Sequence, residues 1–444
     1  MAIISTYNEN CGNASYTGAL KRAFERYADV DVFALDLFLL QSKAFILVKA
    51  GDRHIKDICQ KLRGYDYVNI QFEAGLYGAR IPDMLRRLRW LVDAAPNVTL
   101  TLHRVDYDNS RFWDAVKLGI ASRSYKKFKQ TRGARHFSAL SKSVIEHCKR
   151  AGARKNVWIK VHTRREYRAV REIYLNENVF DYPLAFLTPE QRQAAWDHND
   201  RSDFLRRYGF EPGDKVIGLF GYLSNYKGIE TAIEALSLLP KEYKLGLFGN
   251  QHPQTVKRGE PLNPYLKSIF DLMEDIDQKS YEQSMKFASV GGARRSNSDE
   301  RLNDNPGRDE GLHRISDRIR FIGSLPDPEF IEALRLSDAV VLPYLEVGQS
   351  MSGVAVLGME AGAKMICANN HSFAETKRYY RDCFMGFDMG NAFELAQRIM
   401  QCVTDPELAE FRENRLAAFE QFNIDNSVRL QLEKFGFSQF GTSS

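Results

Sequence analysis

Apolar residues along this chain follow two alternating patterns. Short apolar runs at 2–6, 31–35, 67–72 (YVNIQF), 97–103 (NVTLTLH) and 156–161 (NVWIKV) have the length and composition of strands. Between them, apolar positions fall at helical spacing. Ala19, Leu20, Ala23 and Phe24 do so within 16–27, and the pattern recurs at 55–62, at 81–94 with Arg86, Arg87 and Arg89 outward, and at 138–148. Strands alternating with helices predict parallel strands, joined by crossover helices and covered on both faces.

The stretch 186–210 interrupts this alternation. It is polar and irregular, and the turn Glu211-Pro212-Gly213-Asp214 follows it, so a domain linker is expected here. The pattern then restarts with strands at 215–221 (KVIGLFG), 243–249, 319–323, 339–343 and 364–368. Helices are expected at 228–239, 328–337, 354–362 and 392–403, and helical periodicity continues from 407 to about 437. A long insertion spans 251–318. Asn263-Pro264 reads as an N-cap followed by proline at the first helical position, with Leu266, Ile269, Phe270, Met273 and Ile276 on one face. Residues 291–311 are almost free of apolar side chains and are expected to be mobile. The reading is two Rossmann-like α/β domains, 1–205 and 206–423, the second carrying the insertion 251–318. Open α/β sheets bind ligands beyond the carboxyl ends of their strands, which places the expected site in the cleft between the two.

Composition sharpens this picture only in part. The 444 residues are 44% hydrophobic and 27% charged, as in a folded chain, which excludes a disordered or collagen-like protein. The six cysteines are dispersed without metal-ligand spacing, so reduced thiols and a cytoplasmic location are expected. Residues 1–6 are strand-like and lack a basic n-region, so no signal peptide is expected. The greasiest segment, 32–48, contains Asp36, Gln41 and Lys43 and is too short and too charged to span a bilayer. The net charge is +5, but it is unevenly spread. Between 111 and 171 basic residues far outnumber the acids Asp114, Glu146 and Glu166, and Phe112, Trp113, Tyr125, Phe128 and Phe137 are interleaved. A basic face with aromatics suits an anionic membrane surface. No nucleic-acid module is recognisable, so nucleic acid is not expected as a partner.

Two segments carry chemistry. In FGYLSNYKG, Gly221 lets backbone approach a ligand, and Lys227 stands at the mouth of the next helix, where free N–H groups and the helix dipole favour an anion. In VLPYLEVGQSMSGVAVLGMEAGAKMI, the turn 349–353 opens a helix with Ser350, Ser352 and backbone amides, although such serines also serve as ordinary caps. Two anion-suited turns, each at a strand's carboxyl end, fit one diphosphate held between them. His103 ends a strand and is followed by Arg104 and Asp106; His162 ends another, and Glu73 lies in the QFEAG loop.

In order, the runs FGYLSNYKGIETAIEAL, KLGLFGN, RIRFIGSLPDPEFIEALRLSDAVVLPY and SGVAVLGMEAGAKMI, with the Glu375 region, resemble the nucleotide-sugar-binding domain of retaining GT-B glycosyltransferases of the family 4-like group. STYNENCGNASYTGAL, YVNIQFEAGLYG and VTLTLH resemble their first domain more faintly. The resemblance implies a GT-B architecture of two Rossmann-like domains facing each other across a cleft, with a segment 424–444 crossing back to the first. It implies sugar transfer from a nucleoside-diphosphate sugar to a glycan or lipid-linked glycan, with retention and without a cofactor or metal. Donor contacts implied are Gly12, Asn13, Gly221, Tyr222, Lys227, Asn250, Ser350, Ser352 and Gly353. His103 would lie near the transferred sugar, and Glu73, Arg104 and Asp106 on the acceptor side.

This sequence departs from the family pattern at two places. The arginine expected after the first-loop glycine is Tyr222, and the paired glutamates are Gln349 and Leu357. Gln349 and the nearby Glu346 are the expected catalytic substitutes, with Glu360 a further candidate. The departures leave open a non-catalytic nucleotide-sugar-binding or scaffold subunit, and a GT-B sugar-nucleotide epimerase.

Overall fold

The computed structural model describes residues 1–9, 11–107, 125–251, 263–291, 314–346, 348, 350–405 and 412–437, and the side chains of 125–135 and 283–291 are left aside. The candidate mobile segment 291–311 and the basic residues 111–124 therefore lie, for the most part, outside the described residues. The first sheet contains β1 (Ala2–Ser5), β2 (Asp31–Ala34), β3 (Val68–Phe72), β4 (Val98–Leu102), β5 (Val157–Val161) and β6 (Val179–Asp181). The second contains β7 (Lys215–Phe220), β8 (Tyr243–Phe248), β9 (Ile319–Phe321), β10 (Ala339–Leu342), β11 (Met365–Ala368) and β12 (Met385–Phe387). Their orders are β2-β1-β3-β4-β5-β6 and β12-β11-β10-β7-β8-β9, and the registered strand pairs run parallel. The second is the doubly wound order with its switch point between β7 and β10, where a crevice opens beyond the strand ends.

Alternation along each strand sorts side chains into three hydrophobic layers. Ala2 and Ile4 enter an outer layer under the first sheet, while Ile3 points to the opposite face. Ile217, Leu219, Ala339 and Val341 fill the outer layer of the second sheet, while Val216, Phe220, Val340 and Leu342 point inward. The inward faces share one continuous core with the connecting residues Leu184, Ala185, Phe186 and Leu187 and with the carboxyl-terminal helices. The central strands are thus buried on both faces, and β1, β7 and β10 read as largely apolar runs, while β3, β4 and β5 carry the buried polar residues Asn69, Gln71, Thr99, Thr101 and Lys160.

Several expectations are corrected. The stretch 186–210 is not irregular: it holds helices Pro189–Asp197 and Arg201–Arg207. The signal was present, since Thr188 and Gln191 form a capping box with proline at the helix start. Arg87 does not face outward. It is fully buried, donating from Nε to Asp52 at 2.8 Å and to the carbonyls of Leu40, Tyr77 and Val48 at 2.9–3.1 Å. Satisfying these carbonyls, of which Leu40 and Tyr77 end short helices, outweighs the exposure its helical phase suggested. The edge strands β6 and β12, three residues each, went unpredicted. On helix Pro264–Gly291, Leu266, Ile269 and Met273 are buried as predicted, but Phe270 is exposed and stacks on Phe321.

Candidate functional site

The site is built first from the loop after β7. Gly221 has φ +99, and a side chain there would sit 3.1 Å from Lys227 Nζ. The turn Asn225–Lys227 ends at Gly228, whose φ is +64 and where a Cβ would lie 1.9 Å from the Pro343 carbonyl oxygen, so only glycine fits. This geometry turns Lys227 inward. It is 4% exposed, donates to the Tyr344 hydroxyl, and lies 4.0 Å from the Tyr344 ring centroid and 5.1 Å from that of Tyr226. No carboxylate pairs with it among the described residues. Burial holds its ammonium down at about 7.

The turn after β10 closes the other side. Helix Gly353–Glu360 starts at Ser352, whose hydroxyl accepts from the Ala355 amide at 3.3 Å. The amides of Gly353 and Val354 belong to the group a helix start leaves without internal partners, and Val354 lies beside Gly221. Ser350 is buried and donates to Glu166 of the other sheet's domain, so its hydroxyl serves a bond between the domains. Asn250 is exposed at the end of β8, where its carbonyl accepts from the Leu223 amide. Gln349 lies outside the described residues. Glu346 is exposed and accepts from the His371 amide at 2.8 Å, its Nδ1 at 3.0 Å and the Gly348 amide at 2.9 Å. Its desolvation is outweighed by those donors, which hold the carboxyl below its usual range. Glu360 is not at the site. It is fully buried and accepts from the Phe186 and Leu187 amides at 3.0–3.3 Å, pinning the linker.

Across the cleft stands the loop before helix Gly12–Phe24. Gly12 faces open space and Asn13 follows it in the first turn. Tyr222 approaches this loop: burial raises its hydroxyl first, and the electrostatic influence of Cys11 and Glu9 adds to it. Arg104 pairs with Asp106 at 2.6 Å and reaches to within 3.7 Å of where a Gly348 side chain would begin. Glu73 sits with these two; burial raises its carboxyl, Arg104 lowers it and Asp106 raises it. The structure thus brings together Glu73, Arg104 and Asp106, which the sequence could only nominate singly.

His103 follows β4, and its Nε2 lies 2.9 Å from Gln71 Oε1. Gln71 Nε2 donates to Asn69 Oδ1, Asn69 Nδ2 to Gln431 Oε1 at 2.7 Å, and Gln431 Nε2 to the Ser427 carbonyl at 3.0 Å. Each amide orients the next, so this buried relay assigns the proton of His103 to Nε2. Burial first, then Lys160, lowers its imidazole to about 4, and it is neutral at physiological pH. Lys160, fully buried, donates to Tyr16 at 3.0 Å and to Ser427 at 2.7 Å, and burial lowers it to about 7. His162 is buried beside His103, its ring centroid 5.1 Å away, with Nδ1 3.2 Å from the Tyr182 carbonyl. Gln71, Asn69 and Lys160 went unremarked in the sequence, although polar residues inside apolar strands were a usable signal, and Glu166, on helix Arg164–Arg168, was noted only for its charge. No group of three or more His, Cys, Asp and Glu placed to hold a metal ion exists among the described residues.

No protein-family profile matches the chain, and no curated protein does. Solved structures do. Sucrose-phosphate synthase from Thermosynechococcus elongatus is similar with TM-score 0.62 at 14% identity, over 100% of this chain and 99% of that one. HepE from Anabaena, in complex with UDP-glucose, is similar with TM-score 0.58 at 14% identity, over 98% and 100%. WaaG, a glycosyltransferase involved in lipopolysaccharide biosynthesis, gives TM-score 0.55 at 12% identity over 100% of both chains. This chain has the GT-B fold. In GT-B terms, the loops after β7 and β10 belong to the second Rossmann-like domain, and the His103 relay and the Glu73 cluster to the first.

Proposed function

We propose that the chain is a retaining glycosyltransferase. It moves a hexose-like sugar from a nucleoside-diphosphate sugar to a glycan or lipid-linked glycan, with no metal required. The observation that carries this reading is Lys227: a buried ammonium without a carboxylate partner among the described residues, set against Gly221 at the switch point between β7 and β10. An arriving diphosphate supplies the missing counter-charge. As the acceptor hydroxyl oxygen bonds to the anomeric carbon, the bond to the β-phosphate oxygen breaks. The charge growing there meets Lys227 and the amides that open helix Gly353–Glu360, and the acceptor's proton leaves with the diphosphate. His103, neutral and held by Gln71, offers sugar hydroxyls a hydrogen-bonding partner that carries no positive charge.

Among the described residues no helix is long and apolar enough to cross a membrane. Approach to a lipid-linked acceptor at the cytoplasmic face rests on the basic composition of 111–171. Mass spectrometry with a donor panel headed by UDP-hexoses, the class held by HepE, and a membrane extract tests the reading. Sugar on an acceptor is the expected result. Donor binding without turnover would favour a scaffold subunit, which Tyr222 and Leu357 motivate, and donor conversion alone an epimerase.

A further inference from the structure

A second charged cavity lies behind the diphosphate turn. It encloses about 280 Å³ between helix Arg164–Arg168, its continuation Ala169–Ile173, and Glu375 and Arg378 of the other domain. Arg164, Arg165, Arg168 and Arg378 face it, against Glu172 and Glu375. Much of this charge is already matched. Arg164 donates to Asp181 at 2.9 Å, and Arg378 to Glu375 Oε1 at 3.0 Å. The second oxygen of Glu375 accepts from the Arg165 backbone at 3.0 Å. Two guanidinium groups remain. Arg165 Nε is buried with no hydrogen-bond partner, and Arg168 is exposed with no ion pair among the described residues. A buried guanidinium N–H without an acceptor is costly, and a fork of arginines matches the oxygens of a phosphate. Tyr107 and Ile173, both substantially exposed, give the rim apolar surface for whatever carries that group.

We infer that this cavity binds the phosphate group of a second, phosphorylated ligand, at a site separate from the donor diphosphate. Its walls come from both domains, and Arg165 adjoins Glu166, the partner of Ser350 in the diphosphate turn. A phosphate held here therefore sits next to the contact that positions that turn. In the glycosyltransferase reading this ligand is the acceptor, and only that name depends on the reading.

Titration calorimetry tests the site with hexose 1-phosphate and inorganic phosphate, and flotation tests it with vesicles of phosphatidylglycerol in phosphatidylcholine. The Lys227→Met protein removes the competing anion site. Binding of at least one probe should persist in Lys227→Met and fall at least tenfold in Arg165→Gln/Arg168→Gln, while Glu172→Gln strengthens it. Preference for the sugar ester or for the vesicle then tells which carrier bears the phosphate. Nucleoside diphosphate affinity of Arg168→Gln, measured alongside, should match the wild type, which separates this site from the donor site. Binding lost in Lys227→Met but kept in the arginine variants, or no binding of any probe, would overturn the inference.

Discussion

Lys227 shows how little of a residue's chemistry its sequence position declares. The motif suggested a phosphate cation; the fold adds that it is buried, aromatic-lined and without a carboxylate partner among the described residues. Lys227→Met, which keeps the packing between Tyr226 and Tyr344, is expected to weaken nucleoside diphosphate binding more than tenfold by calorimetry, given roughly 1.5–3 kcal/mol for a charge-assisted hydrogen bond. Unchanged affinity would remove Lys227 from the site. The ammonium titrates near 7 in the free protein, so it is charged below that pH and increasingly neutral above it. Wild-type affinity should therefore fall as pH rises from about 7 toward the ordinary lysine value of 10.5, and Lys227→Met should lack that fall. Gly228→Ala places a methyl against the Pro343 carbonyl at positive φ. It is expected to cost more than about 1 kcal/mol, read as a lowered thermal midpoint.

At the scale of elements, helix Ile424–Glu433 matters most. Its sequence is an ordinary amphipathic helix capped by Asn423, and only the resemblance implied that it crosses back to the first domain. In the fold it packs on helix Gly12–Phe24, receives Lys160 on Ser427, and ends the amide relay that orients His103 through Gln431. Phe435 and Phe437, just beyond it, meet the Tyr67 ring edge to face. Gln431→Leu should leave the Asn69 amide only its long 3.5 Å bond to the Tyr67 hydroxyl and destabilise the chain by about 1–3 kcal/mol in denaturant melts. Nitrogen-15 NMR should show His103 held as the Nε2–H tautomer in the wild type and as a mixture in Gln431→Leu. An unchanged spectrum would sever the helix from the site. The central strands were legible because both faces are buried, whereas the edge strands β6 and β12 were missed, although β9, an edge strand of the same length, was read from its run.

For the whole molecule, the two sheets are tied by buried polar contacts as well as by the shared core. Ser350 reaches Glu166, Glu375 receives the Arg165 amide, and Glu360 holds the amides of Phe186 and Leu187. Burial pushes the Glu360 carboxyl up to about 8, against the lowering effect of those amides and Arg192. Between the ordinary value of 4.5 and about 8 the native state thus holds a proton that the unfolded chain releases, and stability from this group falls as pH rises. The stability difference between wild type and Glu360→Gln should accordingly shrink from pH 5 to pH 8 in urea melts. A difference that stays constant would show that Glu360 is ionised throughout.

The sequence by itself determined the two α/β halves, ten of the strands, the loops after β7 and β10 as the anion-suited turns, and the resemblance to GT-B enzymes. Each of these rests on local periodicity, turn chemistry or motif order, which neighbouring residues encode. Only the tertiary structure decided which polar groups share an interior. Gln431 lies 362 residues from Asn69, and Ser350 lies 184 from Glu166. Desolvation depends on everything packed around a group, so the lowered Lys227 and Lys160, the raised Glu166 and Glu360, and the full burial of Arg87 exist only in the folded chain.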